Sequence, residues 1–114
     1  MYEYRLNLIR VVDADTLDIE IQLGCYVATS QRVRLNGVNA PEKNTPLGRL
    51  AKAWVEEWFA ARVEKPLTVL TIKDKREKFG RLLAEIWCDG ESLTRMLEAA
   101  GHCKLYDGKG VRPD

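Results

Sequence analysis

Leu17, Ile19, Ile21 and Leu23 alternate with Asp18, Glu20 and Gln22. A period of two puts one row of side chains in a core and the other in water, which is the mark of an antiparallel strand. Residues 2–12, rich in Tyr, Leu, Ile and Val, read as a strand before it. Residues 24–30 read as a turn region, and residues 31–38 return as a third strand. The period then changes. Leu47, Leu50, Ala51, Trp54, Val55, Trp58 and Phe59 recur at helical spacing, with Arg49, Lys52, Glu56 and Glu57 between them. Thr45 and Pro46 suit the cap and first turn of that helix. Residues 67–72 and 82–88 are two further strands, joined by charged residues 73–78. Leu93, Met96, Leu97 and Ala100 predict a short helix stopped by Gly101. Three strands, a helix, two strands and a helix fit a β-barrel with helices, a five-stranded Greek-key barrel of OB type.

Bulk properties narrow the function classes. At 114 residues the chain is expected to form one domain, over residues 1–106, with a short polar tail at 107–114. The apolar share of 46% and charged share of 31% are those of a soluble globular protein. A net charge of +1 provides no whole-protein attraction to nucleic acid, so such binding must rest on a local basic patch. Cys25, Cys88 and Cys103 lack CxxC or CxxH spacing and read as reduced thiols, not a zinc site. No signal-type leader and no membrane-spanning apolar run is visible. The expectation is a cytoplasmic monomer without membrane contact, secretion remaining open if a leader has been removed.

Candidate chemistry centres on residues 33–42, a strand running into a proline turn with Arg34 at one end and Glu42 at the other. Asp13, Asp15 and Thr16 lie upstream, and Gly80 and Arg81 downstream. Two arginines, a glutamate and an aspartate near a metal seat are the parts needed to hydrolyse a phosphodiester. Bland readings stand beside this one. Arg34 and Glu42 also fit a surface ion pair, although Pro41 fixes the backbone just before the carboxylate. Asp13 and Asp15, taken alone, fit a turn-forming Asx pair better than a metal site. Arg81 alone fits a turn residue opening a strand, and residues 73–78 fit a solvated hairpin tip. Trp54 and Trp58, one helical turn apart, are expected in the core, with Trp87 packing as well. His102, the sole histidine, has no evident catalytic role.

These motifs, in this order, resemble the staphylococcal-nuclease-like (thermonuclease) family over roughly residues 9–106. The resemblance rests on Val12-Asp13-Ala14-Asp15-Thr16, Arg34-Leu35, Ala40-Pro41-Glu42, residues 77–84, Asp89-Gly90 and Ala100-Gly101. It implies an OB barrel and either a calcium-dependent nuclease or a non-catalytic module binding nucleic acid or protein. By resemblance, Arg34, Glu42 and Arg81 are the catalytic set. Calcium falls to Asp15, Asn39 and the backbone carbonyl of Ala40. Lys78, Phe79, Leu83 and Tyr106 are the implied substrate contacts for DNA or RNA, with Lys43 a further phosphate candidate.

Two positions depart from the family pattern. Asn39 stands where the family has a second calcium carboxylate. An amide oxygen still ligates calcium, but affinity falls with ligand charge, so weak calcium binding is expected. Phe79 replaces a tyrosine, so its hydroxyl contact to a terminal phosphate is lost.

Overall fold

The computed structural model describes residues 2–42, 44–72 and 82–105. The expectations for Lys43, for residues 73–81, which include Lys78, Phe79 and Arg81, and for residues 106–114, including Tyr106 and the tail, lie outside the described residues.

Three long strands open the chain: β1 (Tyr2–Asp13), β2 (Thr16–Gly24) and β3 (Val27–Leu35). A two-residue strand, β4 (Val38–Asn39), precedes helix α1 (Pro46–Ala60). Then come β5 (Thr68–Ile72), β6 (Leu82–Cys88), β7 (Glu91–Ser92), helix α2 (Leu93–Ala99) and β8 (Lys104–Leu105). The main sheet runs β3-β2-β1-β5-β6-β7, and a parallel pairing of β3 with β6 joins its two sides. β1, β2, β3, β5 and β6 therefore form a closed five-stranded barrel with two helices, the architecture expected. The closing contact is short, Val33–Leu35 of β3 running beside Leu82–Ala84 of β6. β1 shifts register between Leu8 and Arg10 and again between Val11 and Asp13. Such bulges bend a strand and raise its twist, which lets one long strand serve both β2 and β5.

The alternation of β2 is honoured in space. Leu17, Ile19 and Ile21 are buried, while Asp18 and Glu20 face outward. They meet Leu6, Val11, Val33, Leu35, Val69, Ala84 and Ile86 inside the barrel. α1 closes one side with Ala51, Val55, Trp58 and Phe59, and α2 contributes Leu93 and Leu97. The Trp58 indole N–H donates to Met96 Sδ at 3.2 Å, which ties the two helices together. Trp54 packs half-buried against the core, its ring 5.9 Å from that of His102. Trp87 is half-buried on β6. Gly101 adopts φ +80°, the left-handed conformation that ends α2 where expected.

Two boundaries differ from the sequence reading. β3 begins at Val27, not residue 31, because the turn occupies only Cys25 and Tyr26, both at positive φ. The strand ends at Leu35, and the chain turns through Asn36 and Gly37 before Val38 pairs elsewhere. Leu47 and Leu50 are also not core residues, being 67% and 60% exposed. They sit at the N-terminal end of α1, and only its later turns lie on the barrel.

On the outer face, Asp18 on β2 accepts from Arg10 Nε and Arg32 Nε, each at 2.8 Å. The hydrogen bonds from Arg32 and then Arg10 hold its carboxyl down at about 2, against an ordinary 3.8. Because the folded value is depressed, this stabilisation is present above 3.8 and is lost as pH falls toward 2. The trio is solvent-screened, so Asp18→Asn should cost about 0.5–1 kcal/mol at neutral pH. Denaturant melts of parent and variant should converge as pH drops through that window. A gap that stays constant across it would show that the ion trio contributes nothing.

Candidate active site

The turn between β1 and β2 carries Ala14 and Asp15, and Asp15 points inward, only 3% exposed. Three elements converge on it. Its own backbone carbonyl accepts from the Leu35 N–H at 2.8 Å, so the end of β3 is fastened to the turn. Its Oδ1 accepts from the Thr16 hydroxyl at 3.1 Å. Its Oδ2 accepts from the Ala40 N–H at 3.0 Å, which brings in the chain beyond β4. A buried carboxylate needs such donors, because an unpaired charge in the interior is heavily penalised.

Arg34 reaches the same place from β3. Strand alternation buries Val33 and Leu35 and turns Arg34 to the other side, where its side chain is 14% exposed. Its Nη2 donates to the Val38 carbonyl at 2.9 Å and to Asn39 Oδ1, and lies 3.9 Å from Asp15 Oδ2. Asn39 is itself buried. Asp15, Arg34, Asn39 and Ala40, far apart in two sequence motifs, thus form one cluster at the end of the barrel.

Parallel pairing sets Leu83 of β6 opposite Arg34, so this half-buried substrate candidate flanks the cluster. Arg81 is the residue just before β6, whose first residue, Leu82, pairs with Val33. Glu42 is exposed, two residues past Ala40. Its backbone carbonyl accepts from Thr45 N–H at 3.0 Å and from the Thr45 hydroxyl at 2.7 Å, which ties the loop to the start of α1.

Some participants carry no role in the sequence reading. Thr16 completes the cradle of Asp15, and its position directly after the aspartate was the available signal. β8 pairs antiparallel with β4, setting Lys104 opposite Asn39 in register. No local pattern announces a two-residue strand. Cys103, buried just before β8, feels the same charge. Burial first, then the negative charges of Glu98 and Asp15, push its thiol up to about 11.

The donors suit a hard cation in kind. Asp15, the Asn39 amide and the Ala40 carbonyl are all oxygen ligands, as calcium requires. Their charge is low. Among the described residues no group of three or more His, Cys, Asp or Glu side chains is placed to hold a metal. Asn39 Oδ1 also already faces Arg34.

Comparisons with known proteins agree with this architecture. The family model for staphylococcal nuclease homologues matches residues 32–112. An uncharacterized endonuclease of Escherichia coli is 25% identical over 108 residues, covering 94% of this chain and 64% of that protein. A probable staphylococcal-like nuclease, CAN1, of Oryza sativa subsp. japonica is 28% identical over 88 residues, 77% of this chain and 25% of its own length. An uncharacterized 38.1 kDa protein of Capnoides sempervirens is 32% identical over 87 residues, 76% of this chain and 24% of that one. The chain thus spans less than two thirds of the length of these relatives. With a closed five-stranded barrel, a cluster at its end and a family match over most of its length, the chain belongs to the staphylococcal nuclease homologue family.

Proposed function

We propose that this protein is a calcium-dependent nuclease that hydrolyses DNA and RNA phosphodiester bonds with little sequence preference and leaves 3′-phosphate ends. Membership of the family and relatives named as nucleases support nuclease action at the family level. The observation that carries the reading further is the convergence of Arg34, Asp15, Asn39 and Ala40 at one end of the barrel.

In this reading Glu42 takes a proton from water, whose oxygen attacks phosphorus in line as the bond to the 5′ oxygen breaks, and that oxygen leaves as a hydroxyl with a proton drawn from solvent. Negative charge builds on the non-bridging oxygens, and Arg34 and Arg81 meet it with forked donors. Calcium held by Asp15, Asn39 and the Ala40 carbonyl would supply positive charge to polarise the phosphate. Leu83, Lys78, Phe79, Tyr106 and Lys43 contribute grip on the substrate strand. The site works on the protein as a monomer.

The decisive experiment is a calcium titration of single-stranded DNA cleavage by the parent and Asn39→Asp. Restoring the carboxylate should lower the half-saturating calcium concentration by roughly an order of magnitude. Parent cleavage at full rate in excess chelator would sink calcium dependence.

One observation favours a second reading. Arg34 already donates inward to Val38 and Asn39, as a residue serving only the fold would. On that reading the chain is a non-catalytic module that binds nucleic acid or a protein. Oligonucleotide binding without turnover at any calcium concentration would select it.

A further inference from the structure

Gly48 is the third residue of α1 and is buried. Glycine is among the poorest residues in a helix, so its presence there conflicts with local propensity. The conflict has a steric reason. A Cβ at Gly48 would lie 1.6 Å from the Glu42 carbonyl oxygen and 2.3 Å from its carbonyl carbon. Both are backbone atoms, so no side-chain rotation relieves the overlap. The nearest tolerable separation is about 3.0 Å, so the Glu42 carbonyl would have to retreat by more than an ångström.

Thr45 sits between the two. Its hydroxyl accepts from the Gly48 N–H at 3.0 Å and donates to the Glu42 oxygen at 2.7 Å, while its N–H also donates there. One threonine therefore caps α1 and holds the Glu42 backbone against the helix. The absent Cβ of Gly48 makes the space for that approach.

We infer that Thr45 and Gly48 are positioning residues for Glu42, seating its backbone on the first turn of α1 and so aiming its carboxylate at the cluster of Arg34 and Asp15. The inference rests on the nuclease reading for its catalytic consequence and on the geometry for the seat itself. A rigid element then supports a carboxylate that otherwise stands on an exposed loop.

The test is cleavage of a fluorescent single-stranded DNA in saturating calcium by Gly48→Ala, Thr45→Val and Glu42→Gln, and by Glu42→Gln combined with each of the first two. A misplacement of about 1 Å should lower kcat on the order of 10²-fold in Gly48→Ala, with KM changed far less. Thr45→Val, which loses one bond to the Glu42 oxygen, should lose about tenfold, and Thr45→Ser should retain parent turnover. In the Glu42→Gln background neither substitution should add a further loss, because the group being positioned is gone.

Parent-like kcat in folded Gly48→Ala, or equal losses with and without the Glu42 carboxylate, would overturn the inference. If Gly48→Ala does not fold, the Thr45→Val pair decides by the same criteria. A parent without turnover would instead defeat the nuclease reading. The seat is then judged by the 13C shift of the Glu42 carbonyl, which should move in Gly48→Ala. An unmoved carbonyl would overturn the seat on its own.

Discussion

Arg34→Ala and Glu42→Ala should each abolish most of the calcium-stimulated cleavage, for different reasons. On the proposed mechanism Arg34 would supply a preorganised donor to charge that develops only in the transition state. Removing such a donor costs on the order of 10²–10³ in rate. Loss of a general base costs roughly 10²–10⁴, so Glu42→Ala should be at least as severe. The two differ in what else they disturb. Glu42 is exposed, and its backbone carbonyl is fastened to Thr45, which Glu42→Ala leaves in place, so that variant should lose less stability than Arg34→Ala. Arg34 donates to Val38 and Asn39 and lies beside Asp15, so Arg34→Ala should also lose stability. The measurements are single-turnover cleavage of labelled single-stranded DNA and a thermal melt of each variant. Two folded variants cleaving as fast as the parent would remove the catalytic assignment altogether.

The second large effect is on folding. Asp15→Ala should destabilise the protein by about 3–5 kcal/mol, the range for removing one partner of a buried, charged hydrogen-bond group. For a chain of this size that lowers the melting temperature on the order of 10–20 °C. The carboxylate accepts from the Thr16 hydroxyl and the Ala40 N–H and stands 3.9 Å from the Arg34 guanidinium. Its removal therefore loosens the β1–β2 turn, the chain after β4 and Arg34 together. Asp15→Asn, which keeps one oxygen acceptor, should fall between the parent and Asp15→Ala. Denaturant unfolding without calcium isolates this role from any metal contribution. If Asp15→Ala unfolds at the parent midpoint under those conditions, the carboxylate is not a structural staple. The same result matters for reading activity data, because lost cleavage in an Asp15 variant would report on the fold and on the proposed metal site at once.

The barrel was legible in the sequence because each element has its own period. Leu17, Ile19 and Ile21 declare a strand with one wet face, and the row from Ala51 to Phe59 declares a helix that must cover something apolar. Thr45, Pro46 and Gly101 mark helix ends through local backbone chemistry, which needs no tertiary information. The β2–β3 turn is shorter than residues 24–30 suggest because Cys25 and Tyr26 take positive φ without the Asn-Gly signal that announces such a turn. Leu47 and Leu50 fit the helical stripe but are left uncovered, since a period reports which face is apolar and not how far the partner surface extends.

For the site, Arg34 and Glu42 stood out from the sequence because their chemistry suits a phosphodiester, while Asp15 and Asn39 were marked by the family resemblance. Their mutual arrangement did not. The carboxylate of Asp15 reaches the Ala40 N–H across 25 positions, and β8 meets β4 through backbone pairing that carries no side-chain signature. Nor could Gly48 be explained from its neighbours in sequence, where it is only a poor helix residue. Its reason is a carbonyl six positions earlier that folding brings to within contact distance. Period, capping and chemical type act over a few residues, and sequence alone determined those. Which donors share a buried carboxylate, and how closely a loop can approach a helix, depend on packing between distant segments, and only the tertiary structure decided them.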